Sequence, residues 1–538
     1  MPIACVKLNP IITVELVIRQ LYRQTNLKLS LVLILIDLLN RIIVLSEWVC
    51  QKIQLCFWRH LKNFIFVIPW LILHSHELRA ADIELPLLGD STSGIISRSQ
   101  EYSLGKTWLQ AFRSRVDTFD DPLIQDYLEY LTYELATHSD LQDPRLTLII
   151  VNNPTMNAFA VPGGVIGFHT GIFAYAKTED QMMSIMAHEM AHLSQRHFAR
   201  GIEANRKSSA ISLAGILATL VLSATAGGDA GLAAMTASQA LTLDNRLRYS
   251  RSNEQEADRI GLNTMVRAGR DPDAVADMFM ELLRETRNSS NRAPEFLLTH
   301  PISERRVTDT RARTFSNQNR HYPDNPDFYL MQARAMVAMQ KKPKAAVKYF
   351  EQQLAANTQR QDAASYGLAL AQLKDNNYPQ AKSVLQRLLT ERPNHIPFVY
   401  ADIEIDIAAQ NFNQALNSLE QQLAINPNSF PLRVLQAEAH WGAHSYEQAA
   451  IVLGQLSEQR PEDPHIWYKL AEVRGLAGDI SGVHRARAEY FILVGALDMA
   501  RKQLSLAAKL VDADFKQLSI VKQRLRDLAV MQKRLEKL

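Results

Sequence analysis

Cysteine is confined to the start of this 538-residue chain, where Cys5, Cys50 and Cys56 are the only three. Everything after residue 56 has neither a disulfide nor a thiolate metal site available to it, and the count names no compartment. A charge excess is missing too. The net charge is +3, but residues 1–80 hold nine Lys and Arg against four Asp and Glu, leaving 50 against 52 over residues 81–538. With no broad cationic footprint, a nucleic-acid partner is not expected. Clean long apolar runs are scarce: "LSLVLILIDLLNRIIVL" is interrupted by Asp37, Asn40 and Arg41 and makes a poor membrane span. Methionine is absent between Met1 and Met156. What is there, 47% hydrophobic and 21% charged, is the composition of a globular chain of two or three domains.

Residues 1–80 are expected to be an export signal with an N-terminal extension. "FWRHLKNFIFVIPWLILHSHELRAAD" places a basic stretch (Arg59, Lys62) before an apolar run from Phe64 to Leu73, then small residues at Ala80 and Ala81. About ten apolar residues is short for a span. Cleavage near Ala80 is the first choice, with Leu78 imperfect at position −3. Translation from a non-ATG codon near Leu55 would account for the long leader, and an N-terminal membrane anchor is the alternative.

Two amphipathic stretches, "LGKTWLQAFRSRV" and "PLIQDYLEYLTYELATH", predict helices. "LTLIIVNNP" reads as a strand, and Pro162-Gly163-Gly164 between β-prone runs as a hairpin. Thr178 and Gln181 then form a capping box opening a helix expected to run past His197. That helix carries "SIMAHEMAHLSQRH". At this chain's His and Glu frequencies the pattern HExxH arises by chance in roughly two chains in a hundred, so alone it is a hint. Its chemistry is specific. His188 and His192, one turn apart, share a helix face and can hold Zn²⁺, while Glu189 points to the side where a water would sit.

A catalytic site needs one more protein ligand. In "SRSNEQEADRIGLNTMV", Glu254 and Asp258 share a helix face, and Glu256 is turned about 200° from Glu254. By itself this is a charged, solvated face. Paired with HExxH, it makes Glu254 the third ligand and Asp258 the group that holds a ligand histidine by its other nitrogen. Glu256→Ala is expected to leave metal content unchanged.

"HEMAH" followed by "NEQEADRIG" resembles the zinc metalloprotease family that includes the CAAX-prenyl proteases and the membrane heat-shock protease. "NAFAVPGG" (157–164) is similar to that family's segment before the active-site helix, and "HPISERR" to its HP-x₄-R element, which places His300 and Arg306. The resemblance covers roughly residues 95–315. The layout, exported and without multiple spans, is similar to the periplasmic members, and implies quality control of outer-membrane β-barrel proteins near their assembly machinery. The implied partners are unfolded or misassembled outer-membrane proteins, and the β-barrel assembly machinery through the repeats described next.

Residues 208–241 are apolar, rich in small residues and almost uncharged. They read as helices roofing the site, with contact to a membrane surface or an unfolded client the minority reading. Farther on, Tyr378, Phe412 and Tyr446 recur every 34 residues, as do Ala381, Ala415 and Ala449, and Pro393, Pro427 and Pro461. Three positions in phase at this period indicate tetratricopeptide repeats: small residues let paired helices approach and Pro ends the second.

The expected fold is mainly α with an α+β catalytic part: a zincin-like metalloprotease domain (95–315), then an α-helical tetratricopeptide-repeat solenoid (326–535). One Zn²⁺ per chain is held by His188, His192 and Glu254. Glu189 serves as general base on the attacking water and then as proton donor to the leaving amine. Arg306 stabilises the oxyanion or forms a structural ion pair. The segment from Val161 to Phe168 offers a strand edge to substrate. His300 is a loop histidine or a fourth ligand that closes the open metal position until a client moves it. The competing reading is a chaperone or assembly scaffold in which the repeats do most of the work.

Overall fold

The computed structural model describes residues 96–205, 251–288, 294–314, 321–356 and 360–535. Residues 1–80, expected to be an export signal, and the apolar stretch 208–241 lie outside the described residues. No described helix is long and apolar enough to cross a membrane.

Helix α1 (Arg98–Arg113) opens on a capping box between Ser97 and Gln100 and buries Leu104, Trp108, Leu109 and Phe112 along one face. Asp121 caps α2 (Pro122–Thr137) by accepting from the Ile124 amide, with Pro122 preset for the first turn. Strands β1 (Thr147–Val151), β2 (Ala158–Val161) and β3 (Val165–His169) form a sheet of order β1-β3-β2, with β1 parallel and β2 antiparallel to β3. The hairpin falls where the Pro-Gly-Gly break places it. Gly163 and Gly164 take φ of 85° and 84°, and a Cβ on either would strike a backbone oxygen, of Glu101 or Arg145.

The expected substrate edge needs correcting. β3 is the central strand, so the Val165–His169 backbone is paired on both sides. Among the described residues β1 and β2 are the edges; the end of β1 is covered by residues 117–119, with Phe119 N donating to Ile150 O and Asn152 N to Asp117 O, whereas β2 has no further strand beside it. His169 N donates to Asn157 O, and antiparallel alternation then turns the main-chain groups of Ala158 and Ala160 outward.

Next come α3 (Ile172–Tyr175), α4 (Glu179–Ser194), α5 (His197–Asn205), α6 (Arg251–Arg267), α7 (Asp273–Asn288), α8 (Glu295–Thr299) and α9 (Glu304–Thr314). α4 is the central helix: every residue from Gln181 to His192 is buried. Met182, Met183, Ile185, Met186 and Met190 are at most 1% exposed, each contributing roughly 1.5–3 kcal/mol of apolar burial. α6 crosses it closely, because Gly261 has no side chain: a Cβ there would lie 3.1 Å from the His188 amide nitrogen.

The repeat helices are α10 (Pro326–Met339), α11 (Pro343–Ala355), α12 (Gln361–Lys374), α13 (Tyr378–Glu391), α14 (Ile396–Ala408), α15 (Phe412–Ile425), α16 (Phe430–Gly442), α17 (Tyr446–Gln459), α18 (Pro464–Leu476), α19 (Ile480–Leu493), α20 (Leu497–Leu510) and α21 (Phe515–Leu535). Tyr378, Phe412 and Tyr446 each begin a helix, and Ala381, Ala415 and Ala449 are fully buried. Asn376, Gln410, His444 and Gly478, again 34 apart, are left-handed (φ 60°, 62°, 60° and 80°). After each, the next amide bonds back to a carbonyl five residues earlier, as Asn411 N does to Asp406 O at 2.8 Å, a Schellman end for α12, α14, α16 and α18.

The catalytic and repeat parts pack as one unit. Phe328 of α10 stacks on Phe173 at 6.3 Å, and Gln332 Nε2 donates to the Phe173 and Ala176 carbonyls. Buried Arg334 joins Asp121, the cap of α2, to Glu404 of α14 at 2.6 Å each. Farther along the array Arg460 meets Glu129, Lys469 meets Asp120, and Gln110 Nε2 donates to the Ile492 carbonyl at 3.0 Å.

Candidate metal centre

The start of α4 fixes the angle at which its histidines enter the core. Thr178 Oγ1 accepts from the Gln181 amide, but the Gln181 side chain accepts from Lys177 N, one residue before the position a capping box requires. Buried Glu179 in the first turn complements the helix dipole and is held by Tyr127, Arg270 and Asn325.

The helix does not run past His197. It ends at Ser194, because Arg196 turns left-handed (φ 51°) and its guanidinium is fastened to Glu101 and the Ile96 carbonyl. The chain restarts as α5 at His197.

His188, His192, Glu254 and His300 converge, with one ligand atom from each lying within 4.8 Å of the others. All four are at most 3% exposed. His188 Nε2 is 3.1 Å from His192 Nε2 and 3.5 Å from Glu254 Oε2. His192 Nε2 is 3.6 Å from Glu254 Oε1. His300, brought in by the end of α8, places Nδ1 3.2 Å from Glu254 Oε1 and 3.4 Å from His188 Nε2. Its Nε2 is 3.4 Å from Glu189 Oε1. Glu189 is fully buried, and neither of its carboxylate oxygens has a hydrogen bond of ordinary geometry.

Asp258 stands one turn beyond Glu254, 3.1 Å from His188 Nδ1. Arg306 grips Asp258 with two bonds of 2.6 Å, reaches Glu254 Oε2 at 3.0 Å and donates to the Pro301 carbonyl at 2.8 Å. Glu256 faces away from the cluster, as its helical phase requires, and meets His197 and Arg200. His197, which the sequence did not single out, lies with Nδ1 2.8 Å from His192 Nδ1.

Electrostatics bear on what this cluster can hold. Burial lowers the His188 pKa, but the Asp258 and Glu254 carboxylates outweigh it and carry it up to about 9. Burial and the neighbouring His188 charge press His192 well below the ordinary range. Glu254 opposes its burial penalty through His300 and His188 and stays far down, and Asp258 is likewise low, against burial, beside Arg306 and His188. Glu189 is raised, chiefly by burial, with His300, His188 and the Ala160 amide opposing. The acidic setting thus demands positive charge at the point where two histidine nitrogens meet. A cation satisfies it, and two imidazoles plus a carboxylate are the donor set of a catalytic metal. The residues fit the metal.

The sequence profile of Peptidase family M48 matches residues 122–314, and tetratricopeptide-repeat profiles match residues 338–400 and 406–473. The chain is similar to the β-barrel assembly-enhancing protease of Escherichia coli (strain K12), 32% identical over 451 residues that cover 84% of this chain and 92% of that protein. It is also similar to the putative β-barrel assembly-enhancing protease of Vibrio cholerae, 34% identical over 58% of this chain and 65% of that protein. The mitochondrial metalloendopeptidase OMA1 of Schizosaccharomyces pombe is 30% identical over 37% of this chain and 57% of that protein. Identity of that extent along most of its length makes the chain a member of peptidase family M48: a metalloendopeptidase with tetratricopeptide repeats.

Proposed function

We propose that the protein is an exported, periplasmic zinc endopeptidase that cuts misfolded or stalled outer-membrane β-barrel proteins and assists their assembly. Residues 95–315 are its catalytic domain and residues 326–535 its repeat domain, which meets the assembly machinery. The observation that carries the chemistry is the buried His188–His192–Glu254 cluster beside an unsatisfied Glu189. The client class rests on the name that the relatives carry.

Bound zinc would polarise the scissile carbonyl and bring the pKa of water down to about 7. His188, His192 and Glu254 hold it, one per chain. Glu189, with its pKa raised by burial, takes the proton of the attacking water and returns it to the leaving amine. The outward main-chain groups of Ala158 and Ala160 align an extended substrate by strand addition, next to Glu189. Asp258 holds His188 by Nδ1. Of the two roles expected of Arg306, oxyanion donor or structural ion pair, the second is the one proposed, because its guanidinium is occupied by Asp258, Glu254 and the Pro301 carbonyl. His300, within reach of both Glu254 and Glu189, is the fourth donor that keeps the resting site closed.

Purified Glu189→Gln protein should keep about one zinc and lose proteolysis by about 10²–10⁴-fold, since the base is not a ligand. Lost zinc, or activity retained, refutes the assignment. His300→Ala should bind zinc nearly as well as wild type and cleave unfolded model proteins faster. A mutant inactive with its zinc intact would make His300 a substrate contact. If Glu189→Gln protein still rescues outer-membrane defects in a deletion strain, the scaffold role of the repeats is the main one.

A further inference from the structure

We propose that His197 and Glu256 form a directed hydrogen-bond chain that fixes the ring of His192, making both of them positioning residues for the metal. The proposal rests on His192 being a ligand. His192 Nε2 faces the shared point of the cluster, so a metal there takes that lone pair and the proton of the neutral ring sits on Nδ1. That Nδ1 lies 2.8 Å from His197 Nδ1. Two ring nitrogens can bond only with one donor and one acceptor. His192 Nδ1–H donates, His197 Nδ1 accepts, and the proton of His197 is left on Nε2. There it meets Glu256 Oε2 at 3.2 Å, and Arg200 donates to the same oxygen at 2.9 Å. Both imidazole links then have one donor and one acceptor, and both donate outward from the metal, while Arg200 donates to the far carboxylate. Reversing the first link would put a proton on His192 Nε2 and close it to the ion.

The backbone is built for this contact. Five residues along an unbroken helix is a rotation of about 140°, which would carry His197 away from His192. The left-handed turn at Arg196, anchored by Glu101 and the Ile96 carbonyl, brings it back. His197 is 1% exposed, so its ring has no solvent to exchange partners with. The two ligand histidines are thus held differently, His188 directly by a carboxylate and His192 by a carboxylate acting through a second imidazole. Glu256 faces away from the metal, yet it is two hydrogen bonds from a ligand. On this proposal Glu256→Ala weakens zinc affinity through His197, where helical phase alone predicts no sharp loss of zinc.

Zinc affinity of the full chain is read by competition with a chromophoric chelator. His197→Phe should weaken it about 10–100-fold, the usual cost of losing such a support. Glu256→Ala should weaken it in the same direction, and Glu256→Gln, whose amide oxygen still accepts from His197, should restore most of the loss. In the wild-type zinc protein, ¹⁵N shifts of the histidine rings should show His197 protonated on Nε2 and bare on Nδ1. A proton on Nδ1 of His197, or His197→Phe binding zinc within twofold of wild type, overturns the chain. His192→Ala separates the two ideas: retention of zinc there would sink the metal assignment itself, whereas its loss, with His197→Phe unaffected, would sink only the chain.

Discussion

His169, at the end of β3, is 1% exposed, and burial draws its pKa down to about 4 against a backbone hydrogen bond at Thr155 that raises it, with the Glu295 carboxylate 3.9 Å from its Nδ1. The unfolded chain takes up a proton near pH 6.5 that the folded chain refuses until about pH 4. Its contribution to stability is therefore complete above pH 6.5 and falls away as the pH drops towards 4. By pH 4.5 this amounts to about 2 kcal/mol. Thermal unfolding at pH 7 and 4.5 should show a smaller loss for His169→Asn than for wild type, and equal losses would mean that His169 is protonated in the fold. The other histidines divide by how local their geometry is. His188 and His192, like Glu254 and Asp258, are four apart, and helical periodicity alone aligns each pair. The role of His197 was not legible, because it depends on a left-handed arginine, which no residue preference announces. Arg306 was legible as a residue of interest, but its occupation by two carboxylates depends on where α9 meets α6.

The crossing of α4 and α6 sets the distance from Glu254 to His188, and with it the geometry of the candidate metal cluster. A Cβ at Gly261 would sit 3.1 Å from the Ala187 carbonyl carbon and the His188 amide nitrogen, so a larger side chain must push the helices apart. Gly261→Val should cost about 1–3 kcal/mol by overpacking. It should lower zinc affinity markedly while helical content by circular dichroism stays at the wild-type level. Unchanged affinity would show that the cluster tolerates a displaced α6. The repeats illustrate what a period reveals and hides. Aromatic, alanine and proline positions in phase exposed the array because packing demands those side chains. The helix ends at Asn376, Gln410 and His444 stayed hidden, since three of the four left-handed positions lack the glycine that marks such a turn.

Across the whole molecule, one apolar cluster runs from Leu123 in α2 through Phe173 and Phe328 to Ala439 in α16. Catalytic and repeat parts should therefore unfold together. Phe328→Ala, which removes a fully buried ring from their seam, should cost about 3–5 kcal/mol and lower a single calorimetric transition. A split into two transitions would show that the parts are held independently. The seam was not legible in the sequence, since Arg334, Asp121 and Glu404 lie far apart along the chain and carry no shared pattern.

The array is tied to the catalytic part near its start, where α10 meets Phe173, and again near its end, where Gln110 meets Ile492. Fixed at both places, the array cannot swing as a hinged arm, and the stretch from α10 to α19 is held at a set distance from the metal cluster as a beam clamped at both ends is.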